Sequence, residues 1–79
     1  MSIIFEGKEI FITTPAVKRA RERKIAYPDQ VYNAIKTGKT KRFGKNGIKF
    51  VKKSKQDSII CVGEDKGYCI IIKTVERGN

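Results

Sequence analysis

The sequence predicts a single small α+β domain: an N-terminal strand or hairpin, then a two-helix hairpin packed on one face of a four-stranded antiparallel sheet. The 79 residues are 39% hydrophobic and 33% charged, which is enough for one domain with a thin core. Two segments with helical spacing stand between residues 14 and 38, and β-branched residues dominate the second half of the chain. Helices grouped apart from a run of strands are typical of an α+β fold.

The N-terminal segment, residues 2–13, is predicted to be extended. Ile and Phe residues stand on both sides of Glu6-Gly7-Lys8, which has the composition of a turn. This pattern favours a β-hairpin, or one strand with a bulge.

Two helices are predicted next. Thr14-Pro15 favours a helix start, because a Thr hydroxyl caps free N–H groups and Pro is tolerated in the first turn. The first helix is expected over residues 15 to about 25. The second is expected over 28–37, where apolar residues recur at the i, i+3, i+4 spacing, and it ends at Gly38.

Four β-strands are predicted in the remaining half of the chain. An Asn-Gly turn within residues 44–47 joins the first pair, and residues 63–67 form the loop between the last pair. Apolar and basic residues alternate in the second strand, but the sequence leaves open which side is solvated. The predicted strands span residues 40–43, 48–52, 58–62 and 68–75.

The basic residues are concentrated in two stretches. Eighteen Lys and Arg against eight Asp and Glu give a net charge of +10, and fourteen of the eighteen lie within residues 18–24 and 36–55. No acid occurs from Gln30 through Gln56. Such segregation favours an anion-binding face, with nucleic acid as the first partner. The predicted nucleic-acid-binding residues are Lys18, Arg21, Lys24, Lys39, Lys41, Arg42, Lys45, Lys49, Lys52 and Lys53.

RNA is favoured over DNA, because neither predicted helix carries the Asn, Gln and Arg spacing that reads a major groove. Arg-rich surfaces beside exposed aromatics suit single strands and loops. Four aromatic side chains are candidates for base stacking, although core or rim packing is the competing role for each: Tyr27, Tyr32, Phe43 and Tyr68.

Other classes of function are disfavoured by composition. No stretch is apolar enough for a transmembrane helix, and the N-terminus lacks the basic region of a secretory signal. The chain has no His and two Cys, so we predict no zinc site, no cofactor and a reducing, cytoplasmic setting. The two cysteines are expected to be free and buried in central strands. A disulfide would need a loop over 64–66, which places Cys61 opposite Cys69, whereas a loop over 64–67 places them on opposite faces.

The first helix also resembles a known family. Residues 15–25, Pro-Ala-Val-Lys-Arg-Ala-Arg-Glu-Arg-Lys-Ile, are similar to the signature H-A-x-x-R-x-x-x-R-G-I of a small uncharacterised bacterial and archaeal domain. The likeness continues through a Val-containing helix ending in Gly38 to a closing T-V-x motif at Thr74-Val75, and covers roughly residues 13–77. That domain has been grouped with the RelE-like ribonuclease toxins, whose architecture is a helical hairpin on a four-stranded antiparallel sheet.

The resemblance implies metal-independent RNA cleavage of the toxin type, with Arg19 and Arg23 as the residues that carry over. Pro15 stands at the family's His position, Lys24 replaces its Gly, and the segment after Ile25 is about one residue longer than is typical.

Cleavage without a metal needs a base, an acid and cations around the phosphorane. Arg77 joins Arg19 and Arg23 as a candidate catalytic residue, and Glu22 is expected to pair with Lys18 rather than act as a base. The alternatives are a non-catalytic module for RNA or DNA, and a domain that docks an acidic protein such as an antitoxin. The chain is expected to be a monomer or a homodimer, with no membrane partner.

Overall fold

The computed structural model describes residues 3–55 and 57–78. The order of the elements is the predicted one, and the N-terminal segment, predicted as a strand or a hairpin, is a hairpin. The elements are β1 (Ile3–Phe5), β2 (Lys8–Ile12), α1 (Thr14–Glu22), α2 (Asp29–Thr37), β3 (Lys39–Phe43), β4 (Gly47–Lys53), β5 (Ser58–Asp65) and β6 (Cys69–Gly78).

The sheet differs from the prediction. It is one six-stranded mixed sheet in the order β1-β2-β6-β5-β4-β3, so the expected four-stranded antiparallel sheet of RelE-like architecture is wrong. The N-terminal hairpin joins the main sheet because β2 pairs in parallel with β6, with Ile10 opposite Ile70 and Ile12 opposite Ile72. All other neighbouring pairs are antiparallel.

The sheet is strongly curled. The Phe5 ring of β1 meets the Phe50 ring of β4 edge to face, with centroids 5.0 Å apart, although three strands separate β1 from β4 in the sheet order. Beside them, the Glu6 carboxylate lies 3.1 Å from the Arg42 guanidinium of β3. The hairpins at the two sheet edges therefore approach each other across the concave side.

The hydrophobic core fills this concave side. α1 packs on β6, while α2 packs on β4 and β5. One cluster of buried side chains includes residues from both helices and from every strand except the edge strand β3. Its largest fully buried members are Ile25, Val31, Ile35, Ile48, Phe50, Cys61, Ile70, Ile72 and Val75.

The strand boundaries correct two predicted turns. The β1–β2 turn is Glu6-Gly7, because Lys8 already pairs with Phe5. Gly63 lies inside β5 rather than in a loop, at a register shift between Val62 and Gly63. A side chain there would drive its Cβ into the Ile71 carbonyl oxygen, so glycine marks a close approach of two strands and not a turn.

The first helix begins one residue earlier than predicted and ends earlier. Thr13, not Thr14, is the cap: its hydroxyl accepts from the Ala16 N–H at 3.2 Å and donates to the Ile72 carbonyl. The helix stops after Glu22, and Lys24 takes a φ of +58°. The N–H groups of Lys24 and Ile25 then turn back to carbonyls of the last helical turn, at 3.0 and 2.8 Å. This is a Schellman motif, in which Gly normally holds the left-handed position.

We expect Lys24→Gly to raise the free energy of unfolding by about 1 kcal/mol, because it removes the steric cost of a side chain at a left-handed φ. Lys24→Ala removes the same charge and keeps the strain, so it should give no gain. Urea unfolding of the three proteins measures both effects. Equal stabilisation by both substitutions would show that charge, and not backbone strain, limits stability at this position.

Candidate nucleic-acid interface

The basic side chains divide into paired and unpaired groups. Seven lie within 4.0 Å of a carboxylate: Lys8, Arg19, Arg23, Arg42, Lys66, Lys73 and Arg77. The others form no ion pair with any acid of residues 3–55 and 57–78. This unpaired group comprises Lys18, Arg21, Lys24, Lys36, Lys39, Lys41, Lys45, Lys49, Lys52, Lys53 and Lys55.

The residues predicted to bind nucleic acid fall mainly in the unpaired group, and those predicted to be catalytic fall in the paired group. Of the predicted nucleic-acid-binding residues, Arg42 is paired and the other nine are unpaired within the described part of the chain. All three predicted catalytic arginines are paired. The cations that are free to meet a ligand are therefore mainly lysines.

Four unpaired lysines share the outer face of the β3–β4 hairpin. Ile48 and Phe50 are fully buried, so the alternate residues of β4 point away from the core. Lys39 pairs with Val51 and Lys41 with Lys49, which places their side chains on the same outer side. We call Lys39, Lys41, Lys49 and Lys53 the lysine face.

The lysine face places two like charges opposite each other on neighbouring strands. Lys41 and Lys49 are register partners, and like charges directly opposite one another destabilise a sheet. Among the described residues, no carboxylate lies within 4.0 Å of either ammonium group. An adjoining depression of about 260 Å³ is lined by Thr37, Gly38, Lys39, Lys41, Val51, Lys52 and Lys53, so Lys52 adds a fifth cation at its rim.

Arg77 joins the first basic stretch to the second. Its Nε and one terminal nitrogen donate to the carbonyls of Arg23 and Lys24, both at 3.0 Å. The other terminal nitrogen donates to Asp57 at 2.6 Å. Ser54 also donates to Asp57, so the end of α1 is held beside the β4–β5 turn. Lys24 consequently lies at the same end of the molecule as Lys53 and Lys55.

Arg19 and Arg23 lie against β6. The Glu76 carboxylate is 2.7 Å from Arg23 and 3.7 Å from Arg19, and it accepts a hydrogen bond from Thr74. Glu22 lies 3.9 Å from Arg23. It therefore pairs with Arg23 and not with Lys18, the partner that the sequence predicts. Lys18 instead lines a separate depression beside the start of α1, with Thr14, Pro15, Arg19 and Glu22.

Arg42 and Lys45 lie at the opposite end of the molecule from Lys24. There the Asp65 carboxylate binds Lys8 at 2.7 Å and Arg42 at 2.8 Å. Its other oxygen accepts the Gly67 N–H at 2.8 Å. These bonds, from Lys8 first and then Arg42, hold the pKa of Asp65 well below its ordinary value. Local sequence patterns do not reveal this partner, because Asp65 is 23 residues from Arg42.

A second acid near this end is also saturated. Glu64 accepts hydrogen bonds from Lys73 and Lys66, which lower its pKa to about 2. Glu64 and Asp65 therefore neutralise four basic side chains between them, and none of the four belongs to the lysine face.

Two of the four aromatic candidates are accessible. Tyr27 and Tyr32 pack against the core with ring centroids 6.0 Å apart, and burial, followed by a hydrogen bond with Tyr27, raises the pKa of Tyr32. Phe43 is 46% exposed and Tyr68 80%. Sequence reasoning missed Phe11, which is 48% exposed on the outer face of β2.

The cysteines are free and buried, as predicted. Cys61 is the register partner of Val75, six residues from Cys69, so neither predicted loop alignment occurs. Burial raises the pKa of the Cys61 thiol to about 12, which keeps it protonated and unreactive near neutral pH.

Comparison of the chain with protein-family models, curated proteins and solved structures finds no match. Neither described helix has the length and apolar composition needed to cross a membrane. Within residues 3–55 and 57–78, no three His, Cys, Asp or Glu side chains are grouped to hold a metal ion.

We expect Arg77→Ala to lower the free energy of unfolding by about 2 kcal/mol, because it leaves two helix-end carbonyls without this donor and Asp57 without its ion pair. Arg21→Ala is the matched control: this exposed arginine of α1 has no ion pair among the described residues, and its loss should change stability by less than about 0.5 kcal/mol. Urea unfolding measures both. Equal stability of the two variants would show that Arg77 does not hold the end of α1.

Proposed function

We propose that this protein binds single-stranded nucleic acid, RNA in preference to DNA, through the lysine face and the adjoining end of α1. The observation that supports this most is the set of outward lysines on β3 and β4 that form no ion pair with an acid among the described residues. Neutralised phosphates release condensed counterions, which provides the main free energy of such binding. The two free cysteines fit action in a reducing compartment such as the cytoplasm.

A single strand fits this surface better than a duplex. Both helices have nine residues and pack on the concave side of the sheet, so neither is free to enter a major groove as a recognition helix does. A sheet face with cations and exposed aromatics suits flexible strands, whose unpaired bases remain accessible.

The proposal predicts a strong salt dependence. If the four residues of the lysine face contact phosphates of one strand, log K should fall against log salt with a slope of about −3. The double variant Lys41→Gln/Lys49→Gln should roughly halve that slope and weaken binding, as measured by anisotropy of a labelled oligouridine at several salt concentrations.

The matched control is Lys66→Gln/Lys73→Gln, which removes the same net charge from two lysines already paired with Glu64. Its slope should stay close to that of the unmodified protein. Equal losses in both double variants would mean that net charge, and not the lysine face, determines binding. Binding that does not respond to salt would contradict the proposal altogether.

A second candidate function is metal-independent RNA cleavage, in line with the family resemblance. It is favoured by Glu76, whose carboxylate stands between Arg19 and Arg23 and would supply a base beside two cations. Cleavage of RNA in the presence of a chelator, lost in Glu76→Gln and retained in Lys66→Gln/Lys73→Gln, would establish this function. RNA that stays intact while bound would leave binding as the function.

A further inference from the structure

The Phe43 ring lies over a glycine of the neighbouring strand. Phe43 and Gly47 are register partners at the end of the β3–β4 hairpin. A Cβ added to Gly47 would stand 2.6 Å from Cδ2 of the ring and closer still to Cε2, so the ring occupies the space that a side chain would fill. An aromatic ring that covers a cross-strand glycine is a recognised stabilising arrangement in sheets.

The opposite side of the same ring faces outward. Phe43 is 46% exposed, at an edge strand with no element packed beyond it in the described sheet order. The packing over Gly47 fixes the orientation of the ring, so a flat apolar surface is presented with little conformational freedom left to lose on binding.

Unpaired lysines stand close to this ring along the chain and in the register of the hairpin. Lys41 is two residues away on the same strand and the same face, about 7 Å along the strand, and Lys49 is the register partner of Lys41. Lys45 lies in the turn after Phe43. None of the three has an acidic partner among the described residues.

The other exposed aromatic side chains do not have unpaired lysines beside them in this way. Phe11, on β2, is 48% exposed, but its register partner is Ile71 and the nearest outward residue along its strand is Glu9. Tyr68 comes soon after Lys66, whose ammonium group is engaged by Glu64. Among the described residues, Phe43 therefore combines an exposed ring with unpaired cations.

We propose that Phe43 is a stacking site for one unpaired base of a single-stranded nucleic acid, with the neighbouring phosphates on Lys41 and Lys49. This inference rests on the proposed function and adds a base contact to it. Base–aromatic stacking tolerates any base, because every base has a π-face. The site consequently favours single strands over duplexes without selecting a sequence.

A tryptophan reporter tests the contact directly. The chain has no Trp, so Phe43→Trp introduces one indole at the site while preserving an aromatic surface. Oligouridine of about ten nucleotides, within the usual footprint of such proteins, should quench its emission on binding. Phe11→Trp is the matched control, since it lies on the same sheet face four strands away, about 19 Å along the sheet. Its emission should stay unchanged.

Affinities provide the second measurement. Phe43→Leu should weaken oligouridine binding by roughly fivefold to a hundredfold, and Phe43→Trp should restore it, whereas Phe11→Leu should have no effect. An abasic strand of the same length carries the same phosphates without bases. The unmodified protein should bind this abasic strand more weakly than oligouridine. Phe43→Leu should bind the abasic strand and oligouridine with equal affinity.

The outcomes separate this inference from the proposed function. If both strands bind the unmodified protein equally and Phe43→Leu changes neither affinity, the stacking site is wrong while phosphate binding stands. If neither strand binds, the proposed function is wrong and the stacking site with it. Equal quenching in Phe43→Trp and Phe11→Trp would overturn the location at Phe43, because the base contact would then extend over the whole sheet face.

Discussion

The curl of the six-stranded sheet determines which face of the sheet is buried in the core and which face is exposed. With two nine-residue helices, a flat sheet of this size would leave much of its inner face uncovered. The contact between Phe5 and Phe50 instead closes the concave side over the helices. Large apolar side chains can then reach one core, and the outer face of β3 and β4 remains available for polar contacts. The lysine face lies on that outer face, opposite the buried Ile48 and Phe50.

Arginine and lysine differ in how often they form ion pairs within the fold. Four of the five arginines form ion pairs and three of the thirteen lysines do so within the described residues. The planar guanidinium group suits fixed contacts with several acceptors, as Arg77 shows by binding two carbonyls and a carboxylate. Lysine is a compact, hydrated point charge on a flexible stem, which would suit the phosphate contacts proposed for the lysine face.

Local features were predictable from the sequence, and long-range pairing was not. The order of elements results from helical spacing, from Gly38 and from β-branched runs, all of which act over a few residues. The parallel pairing of β2 with β6 was missed, because alternating apolar residues such as Ile10 and Ile12 do not specify a partner strand. The same limit applies to the site. Unpaired lysines were identified from the lack of nearby acids, whereas the partners of Arg23 and Arg42 are Glu76 and Asp65, far along the chain.

Three features of the fold favour positive charge at the expense of stability. Lys24 holds a left-handed φ that Gly would adopt without strain. Lys41 and Lys49 face each other across two strands, and a net charge of +10 repels itself throughout. Glycine in place of Lys24, or a neutral residue in place of Lys41 or Lys49, would make the free protein more stable. The proposed anionic ligand would offset the repulsion between these lysines, because its phosphates would neutralise their charges. The repulsion between Lys41 and Lys49 is therefore a cost that the proposed binding would offset, whereas the left-handed φ of Lys24 would stay the same in the bound state.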